Sequence, residues 1–128
     1  MPNRILVIDD DESVRKAFEL ALEEGDHEVD TAASGMEGVE KVRSGRYGLI
    51  FLDLKMPGMD GIETLREIRK LDAEVPVYIV TAFEGEYIEE LGKLEEEGIS
   101  FELVNKPIGM DSIELLVKSV FTGPVESV

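Results

Sequence analysis

The strongest constraint on this chain is an alternation that runs along nearly all of it: apolar runs of four or five residues separated by longer segments of helical period. Ile5-Leu6-Val7-Ile8, Leu49-Ile50-Phe51-Leu52 and Val77-Tyr78-Ile79-Val80 lack polar alternation, the mark of strands buried on both faces. A half-exposed strand is predicted around Glu28 to Ala32 and a fifth over Phe101 to Val104. The first helix places Val14, Ala17, Phe18, Ala21 and Leu22 on one stripe, with Ser13 as its cap and Gly25 as its stop. The second runs from about Met36 to Arg43, with Met36, Val39 and Val42 inward. A Pro57-Gly58 turn and an Asp60 cap introduce a third, which carries Ile62, Leu65 and Ile68. Ile88, Leu91 and Leu94 share one face of a fourth over Tyr87 to Glu97, despite Gly92 in its interior. The last, from about Met110, buries Ile113, Leu116, Val117, Val120 and Phe121. Five strands alternating with five helices predict an α/β fold whose parallel sheet is covered on both faces, because parallel strands need crossover connections.

Composition narrows the chemistry. The 128 residues suit one domain with a core that needs no disulfide or metal staples. With no cysteine and a single histidine, thiol nucleophiles, iron–sulfur clusters and Cys/His zinc sites are excluded, so any metal is expected to be hard and oxygen-bound. His27, in a polar turn, reads as a surface residue. Twenty-nine acids against thirteen Lys and Arg give a net charge of −16, which opposes phosphate backbones and anionic lipid. The apolar runs are too short to span a bilayer, and the first residues lead into acids rather than a signal-peptide core. The expectation is a soluble cytoplasmic protein that binds neither nucleic acid nor membrane.

The ends of the strands carry the chemistry. In open α/β sheets ligands bind outside the carboxyl ends of the strands, where the strand order reverses. Strand one ends in Asp9-Asp10-Asp11, strand three in Asp53, strand four in Thr81, and strand five leads to Lys106-Pro107. Taken singly, each has an ordinary explanation as a solvated loop or a cap. Their arrival at one edge does not, because two unit charges 4 Å apart repel by about 1 kcal/mol in water and about 4 kcal/mol at an intermediate dielectric. Mg²⁺ is the natural counter-charge, since it takes carboxylates, waters and phosphate oxygens. A carboxylate nucleophile, a hydroxyl and an ammonium group beside such an ion suit phosphoryl transfer, with Asp53 attacking phosphorus, Lys106 neutralising charge and Thr81 donating a hydrogen bond.

These residues resemble the receiver domain of two-component response regulators. The resemblance rests on Ile5-Leu6-Val7-Ile8-Asp9-Asp10-Asp11, Asp53-Leu54-Lys55-Met56-Pro57-Gly58-Met59-Asp60-Gly61, Val80-Thr81-Ala82 and Lys106-Pro107, and covers about residues 4 to 121. It implies a flavodoxin-like, doubly wound (βα)5 fold of strand order 2-1-3-4-5. It further implies Mg²⁺ held by Asp9, Asp10, Asp53 and the backbone carbonyl of Lys55, and phosphorylation of Asp53 by the phosphohistidine of a sensor histidine kinase. Thr81 and Lys106 match the pair that contacts the phosphoryl group, and the Lys106-Pro107 bond is expected to be cis. The implied output is protein–protein binding to a downstream partner whose identity is not legible, through helix four, strand five and helix five. Catalysis would extend only to the domain's own phosphorylation and slow dephosphorylation, not to turnover. A receiver over residues 1–122 with a short tail over 123–128 and no effector domain is expected.

The pattern departs from the family at the switch position three before the lysine, where an aromatic is common and this chain has Leu103. Phe101 lies five before it and reads equally well as a core residue or as a switch brought in by a bulge. Lys55 and Phe83, two positions beyond Asp53 and Thr81, are expected to slow attack of water on the phosphoryl group. A haloacid-dehalogenase-like phosphatase with Asp9 as nucleophile is the alternative. It lacks a later acidic metal pair on a strand, since only Asp111, Glu114 and Glu126 follow Lys106. Between Glu84 and Glu102 stand eight acids and one lysine, read as a solvated face. Absence of Gln and Cys beside twenty Glu resembles a thermophile's composition.

Overall fold

The computed structural model describes residues 4–82 and 84–122. Phe83 and the expected tail over 123–128 lie outside the described residues. Five strands alternate with five helices: β1 (Arg4–Ile8), α1 (Glu12–Leu22), β2 (Glu28–Ala32), α2 (Gly35–Ser44), β3 (Leu49–Leu52), α3 (Gly61–Leu71), β4 (Val77–Thr81), α4 (Ile88–Glu96), β5 (Glu102–Asn105) and α5 (Met110–Thr122), with a 3-10 turn (Glu84–Tyr87) leading into α4. Every strand pair is parallel and the order is β2-β1-β3-β4-β5, as the resemblance implied.

The pleat divides the core in two. Leu6, Ile8, Ile50, Leu52, Val77 and Ile79 face α2, α3 and α4, while Ile5, Val7, Leu49, Phe51 and Val80 face α1 and α5. That two-sided burial explains why the central strands show no polar alternation. Each fully buried Leu or Ile contributes about 1.5–3 kcal/mol. Because β1 leads outward to β2 and β3 leads the other way to β4, the crevice between the ends of β1 and β3 is the point where the winding reverses.

Several local expectations are corrected. Asp11, not Ser13, caps α1, and its carboxylate accepts from the Ser13 backbone N–H at 2.9 Å and from the Ser13 hydroxyl at 2.7 Å. Ala17, Met36 and Ile88 are exposed rather than inward. In α2 the inward face is made by Gly35, Gly38, Val39 and Val42, which leaves Met36 on the outer side. His27 is half-buried and stacks on Phe121 with ring centroids 5.4 Å apart, so it belongs to the packing between the α1–β2 turn and α5. β5 starts at Glu102, one residue later than expected, and its register with β4 is unbroken from Glu102 to Asn105. No bulge therefore carries Phe101 toward the site. Phe101 packs with Ile99 against the α3–α4 side of the core, and Leu103 is 42% exposed.

Candidate functional site

The sheet itself sets the site residues. The Asp9 N–H donates to the Ala32 carbonyl at 3.1 Å, the Asp53 N–H to Ile8 at 2.9 Å and the Lys106 N–H to Thr81 at 3.0 Å, so each ladder continues one residue past its strand. Asp9, Asp53 and Lys106 are thereby placed by strand register rather than by loop conformation. The Lys106-Pro107 peptide bond is cis, as expected.

The loop after Asp53 is pinned on both sides of Lys55. Leu54 and Met56 are buried in the core, and Lys55 between them is exposed. The Gly61 N–H closes the loop onto the Leu54 carbonyl at 2.8 Å, and Asp60 caps α3 by accepting from Glu63 at 3.0 Å. Only glycine fits at 61, since a Cβ there would lie 2.3 Å from the Asp53 carbonyl oxygen and 2.7 Å from Leu54 Cα. Gly58 takes a positive φ of 76° in the turn between them.

Five residues named from the sequence meet at this edge: Asp9, Asp10, Asp53, Thr81 and Lys106. Asp9, Asp10 and Asp53 each offer a carboxylate oxygen, all within 4.8 Å of one another. Asp9 and Asp53 are buried and Asp10 is exposed, so the cluster opens to solvent on one side. Lys106 Nζ donates to Asp9 Oδ2 at 2.9 Å and to Asp53 Oδ1 at 3.4 Å. Thr81, fully buried, closes β4 beside Lys106. Burial first, and then the Asp9 charge, push the Asp53 carboxyl up to about 6 against the pull of Lys106. Burial works against the Lys106 ammonium too. Its hydrogen bond to Asp9 and the Asp53 charge outweigh that and raise its pKa. Three carboxylates against one ammonium make a site short of positive charge, and its all-oxygen donor set fits a hard divalent cation.

The structure adds two residues that pattern reading missed. Arg15 donates to the Asp9 backbone carbonyl at 2.8 Å, fixing the β1–α1 loop from one turn into α1. Its position one turn beyond the Asp11 cap was the only available signal. The Lys55 ammonium lies 3.6 Å from Glu86, across from the β4–α4 connection, and no sequence spacing announces that pair. Asp111 and Glu114 line a concavity of about 610 Å³ between α1 and α5, together with His27 and Phe121, away from the carboxylate cluster. They do not supply the second acidic pair that the phosphatase alternative needs.

A doubly wound (βα)5 sheet with acids, a hydroxyl and an ammonium group gathered at its reversal point defines the CheY-like class of α/β domain. The family model for the response regulator receiver domain matches residues 5–118, and the chain belongs to that family. The phosphatase alternative is not favoured. Transcriptional regulatory protein AfsQ1 of Streptomyces coelicolor is 45% identical over 82 residues, covering 64% of this chain and 36% of that protein. Transcriptional regulatory protein ResD of Bacillus subtilis is 42% identical over 79 residues, covering 62% of this chain and 32% of that protein. The chain thus spans about a third of the length of these curated relatives. Among solved structures, response regulator TrrA of Thermotoga maritima in complex with Mg²⁺ and BeF matches with TM-score 0.77 and 35% identity, covering 94% of this chain and 99% of that one. Chemotaxis protein CheY4 of Vibrio cholerae matches with TM-score 0.78 and 25% identity, covering 94% and 99%. Among the described residues, no helix is long and apolar enough to cross a membrane.

Proposed function

We propose that this receiver accepts a phosphoryl group on Asp53 from the phosphohistidine of a sensor histidine kinase, in a Mg²⁺-dependent reaction, and signals by phosphorylation-dependent protein–protein binding. The observation that carries the reading is the convergence of Asp9, Asp10 and Asp53 to within 4.8 Å around an ammonium that bonds two of them.

Each residue has a task in the transfer. With its carboxyl titrating at about 6, Asp53 is mostly ionised at neutral pH and acts as the nucleophile: its oxygen bonds to phosphorus as the phosphorus–nitrogen bond to the donor imidazole breaks. Lys106, already reaching toward Asp53, pairs with a phosphoryl oxygen. The Thr81 hydroxyl, at the end of β4, donates to another. Asp9, Asp10, Asp53 and the Lys55 backbone carbonyl are the residues that would hold Mg²⁺, which supplies charge neutralisation to the transferring group when bound. The Mg²⁺–BeF complex of the similar TrrA domain supports that choice of ion. Nothing in this scheme releases a product other than the spent donor and, slowly, phosphate, so the domain is a stoichiometric acceptor rather than a turnover enzyme.

Downstream, the added charge biases the face built by α4, β5 and α5 toward an unidentified partner protein. The −16 net charge favours a protein partner over nucleic acid or membrane for this domain, and a cytoplasmic setting fits a kinase donor. Intact-mass measurement after incubation with acetyl phosphate and Mg²⁺ tests the proposal. Wild type should gain one phosphoryl group, and Asp53→Asn, or wild type in chelator, should gain none. Labelling lost in Asp9→Asn but kept in Asp53→Asn would move the nucleophile to Asp9 and sink this reading.

A further inference from the structure

Asp9 is hydrogen-bonded through its N–H, its carbonyl and both carboxylate oxygens, and the carbonyl bond comes from a helix. The N–H donates to the Ala32 carbonyl at 3.1 Å, one carboxylate oxygen accepts from the Asp11 N–H at 2.9 Å, and the other accepts from Lys106 Nζ at 2.9 Å. The Asp9 carbonyl accepts from Arg15 Nη1 at 2.8 Å. That carbonyl belongs to the peptide unit between Asp9 and Asp10, whose atoms lie in one plane. Fixing its direction therefore fixes where the Asp10 main chain begins. Asp10 is exposed, and its carboxylate has no hydrogen-bond donor or ion-pair partner among the described residues, so its backbone decides its place. The donor itself is well anchored. Phe18, Ala21 and Leu22 bury α1 against the sheet, the Phe18 and Phe51 rings lie 4.7 Å apart, and the Arg15 N–H closes the first turn on the Asp11 carbonyl at 3.1 Å. Arg15 has no carboxylate partner among the described residues, which leaves its guanidinium to this carbonyl.

Groups that hold a metal's ligands from behind carry much of its affinity, and removing one weakens binding by about 10- to 100-fold. We propose that Arg15 is a positioning residue for the divalent cation: its bond to the Asp9 carbonyl sets the Asp9–Asp10 peptide, so that both carboxylates face one ion before it arrives. This rests on the reading that Asp9, Asp10 and Asp53 together take Mg²⁺. Charge alone predicts the opposite sign, since a guanidinium beside the cluster repels a cation and its removal would tighten binding. Once the ion is bound it ties Asp9 to Asp10 itself, and the clamp adds little. Arg15 thus acts on the Mg²⁺ requirement of the Asp53 reaction and not on its rate at saturating metal.

Calorimetric titration of the unphosphorylated domain with MgCl₂ reads the affinity directly, for wild type, Arg15→Met, Arg15→Lys and Lys16→Met, each well below its melting temperature. Arg15→Met keeps an unbranched stem and loses the donor, and should bind Mg²⁺ roughly tenfold more weakly. Arg15→Lys keeps the charge but not the planar fork, and should fall between that variant and wild type. Lys16→Met removes a cation at the next, exposed position and should stay within about twofold of wild type. Labelling adds a second reading, with acetyl phosphate as donor: an Asp53 oxygen bonds to phosphorus and acetate leaves with the electron pair of the broken P–O bond. There Arg15→Met should need roughly tenfold more Mg²⁺ for half its maximal rate, and that maximum should lie within about twofold of wild type. A folded Arg15→Met that binds Mg²⁺ as tightly as wild type, or more tightly, overturns the inference. If that variant does not fold, an Arg15→Lys protein of unchanged affinity overturns it instead. Equal weakening in Lys16→Met, or a lower saturated rate at an unchanged Mg²⁺ requirement, does the same. Wild type that binds Mg²⁺ but is not labelled removes Asp53 as acceptor and leaves the role of Arg15 standing, whereas wild type that binds no Mg²⁺ removes both proposals.

Discussion

Asp53 and Lys106 set up a competition that the rest of the site resolves. Lys106 bonds Asp9 and Asp53 together, yet burial and the Asp9 charge still hold the Asp53 carboxyl at about 6. An unfolded aspartate titrates near 4, so folding favours the protonated form of Asp53. The sign follows from linkage. Above pH 6 the folded metal-free protein carries an ionised carboxylate at a cost, and that cost fades as pH falls from 6 toward 4. Asp53→Asn should therefore stabilise the metal-free protein by about 1–3 kcal/mol at pH 7.5 and by little at pH 4. Melting curves in chelator across that range check it. A variant less stable than wild type at pH 7.5 would mean that the Lys106 contact outweighs burial. The acids at this edge were legible because each directly follows a doubly buried strand. Glu86 was not, because its partner Lys55 lies 31 positions away in sequence and on a different loop.

At the scale of elements, legibility tracked burial. β1, β3 and β4 are apolar on both faces and stood out as runs, whereas β5 is an edge strand, exposed at every residue but the half-buried Val104, which blurred its start by one residue. Helical stripes were read correctly where large side chains meet the sheet, as with Ile62, Leu65 and Ile68 in α3. They misled where glycines make the contact, as in α2, or where a helix starts late, as with Ile88 at the first position of α4. A joint closed by backbone on both sides lies between β3 and α3. Gly61→Ala would drive a Cβ into the Asp53 carbonyl oxygen and the Leu54 backbone, a clash that no rotamer relieves. Such overpacking should cost about 1–3 kcal/mol and displace the Asp53 main chain, lowering phosphoryl acceptance more than the stability loss alone explains. Urea unfolding alongside acetyl phosphate labelling separates the two effects. Unchanged labelling at reduced stability would show that the loop can shift without moving the acceptor.

Across the whole molecule the −16 charge divides into parts with different roles. Asp30 is drawn into a half-buried network, bonded by Arg4 at 2.8 Å and by the Tyr47 hydroxyl at 2.6 Å. Asp60 and Asp11 cap helices. Asp9, Asp10 and Asp53 form the site. The remaining excess, densest along α4 and its flanks, repels itself across the surface. Screening should relieve that repulsion, so the metal-free melting temperature should climb by several degrees as NaCl rises from about 0.05 M to 0.5 M, where the Debye length falls below roughly 5 Å. A flat or falling curve would mean that ion pairs such as Arg66–Glu97 govern surface energetics instead. The glutamate-rich, glutamine-free composition further predicts a melting temperature above about 60 °C.

The central claim is that the phosphoryl group resides on Asp53. Borohydride reduction of the acetyl phosphate-treated protein converts an acyl phosphate on aspartate into homoserine, and tandem mass spectrometry of the peptides then reads its position. Homoserine at position 53, dependent on Mg²⁺, is the predicted result. Homoserine at position 9 or 10, or none at any position in a protein that folds and binds Mg²⁺, would contradict it.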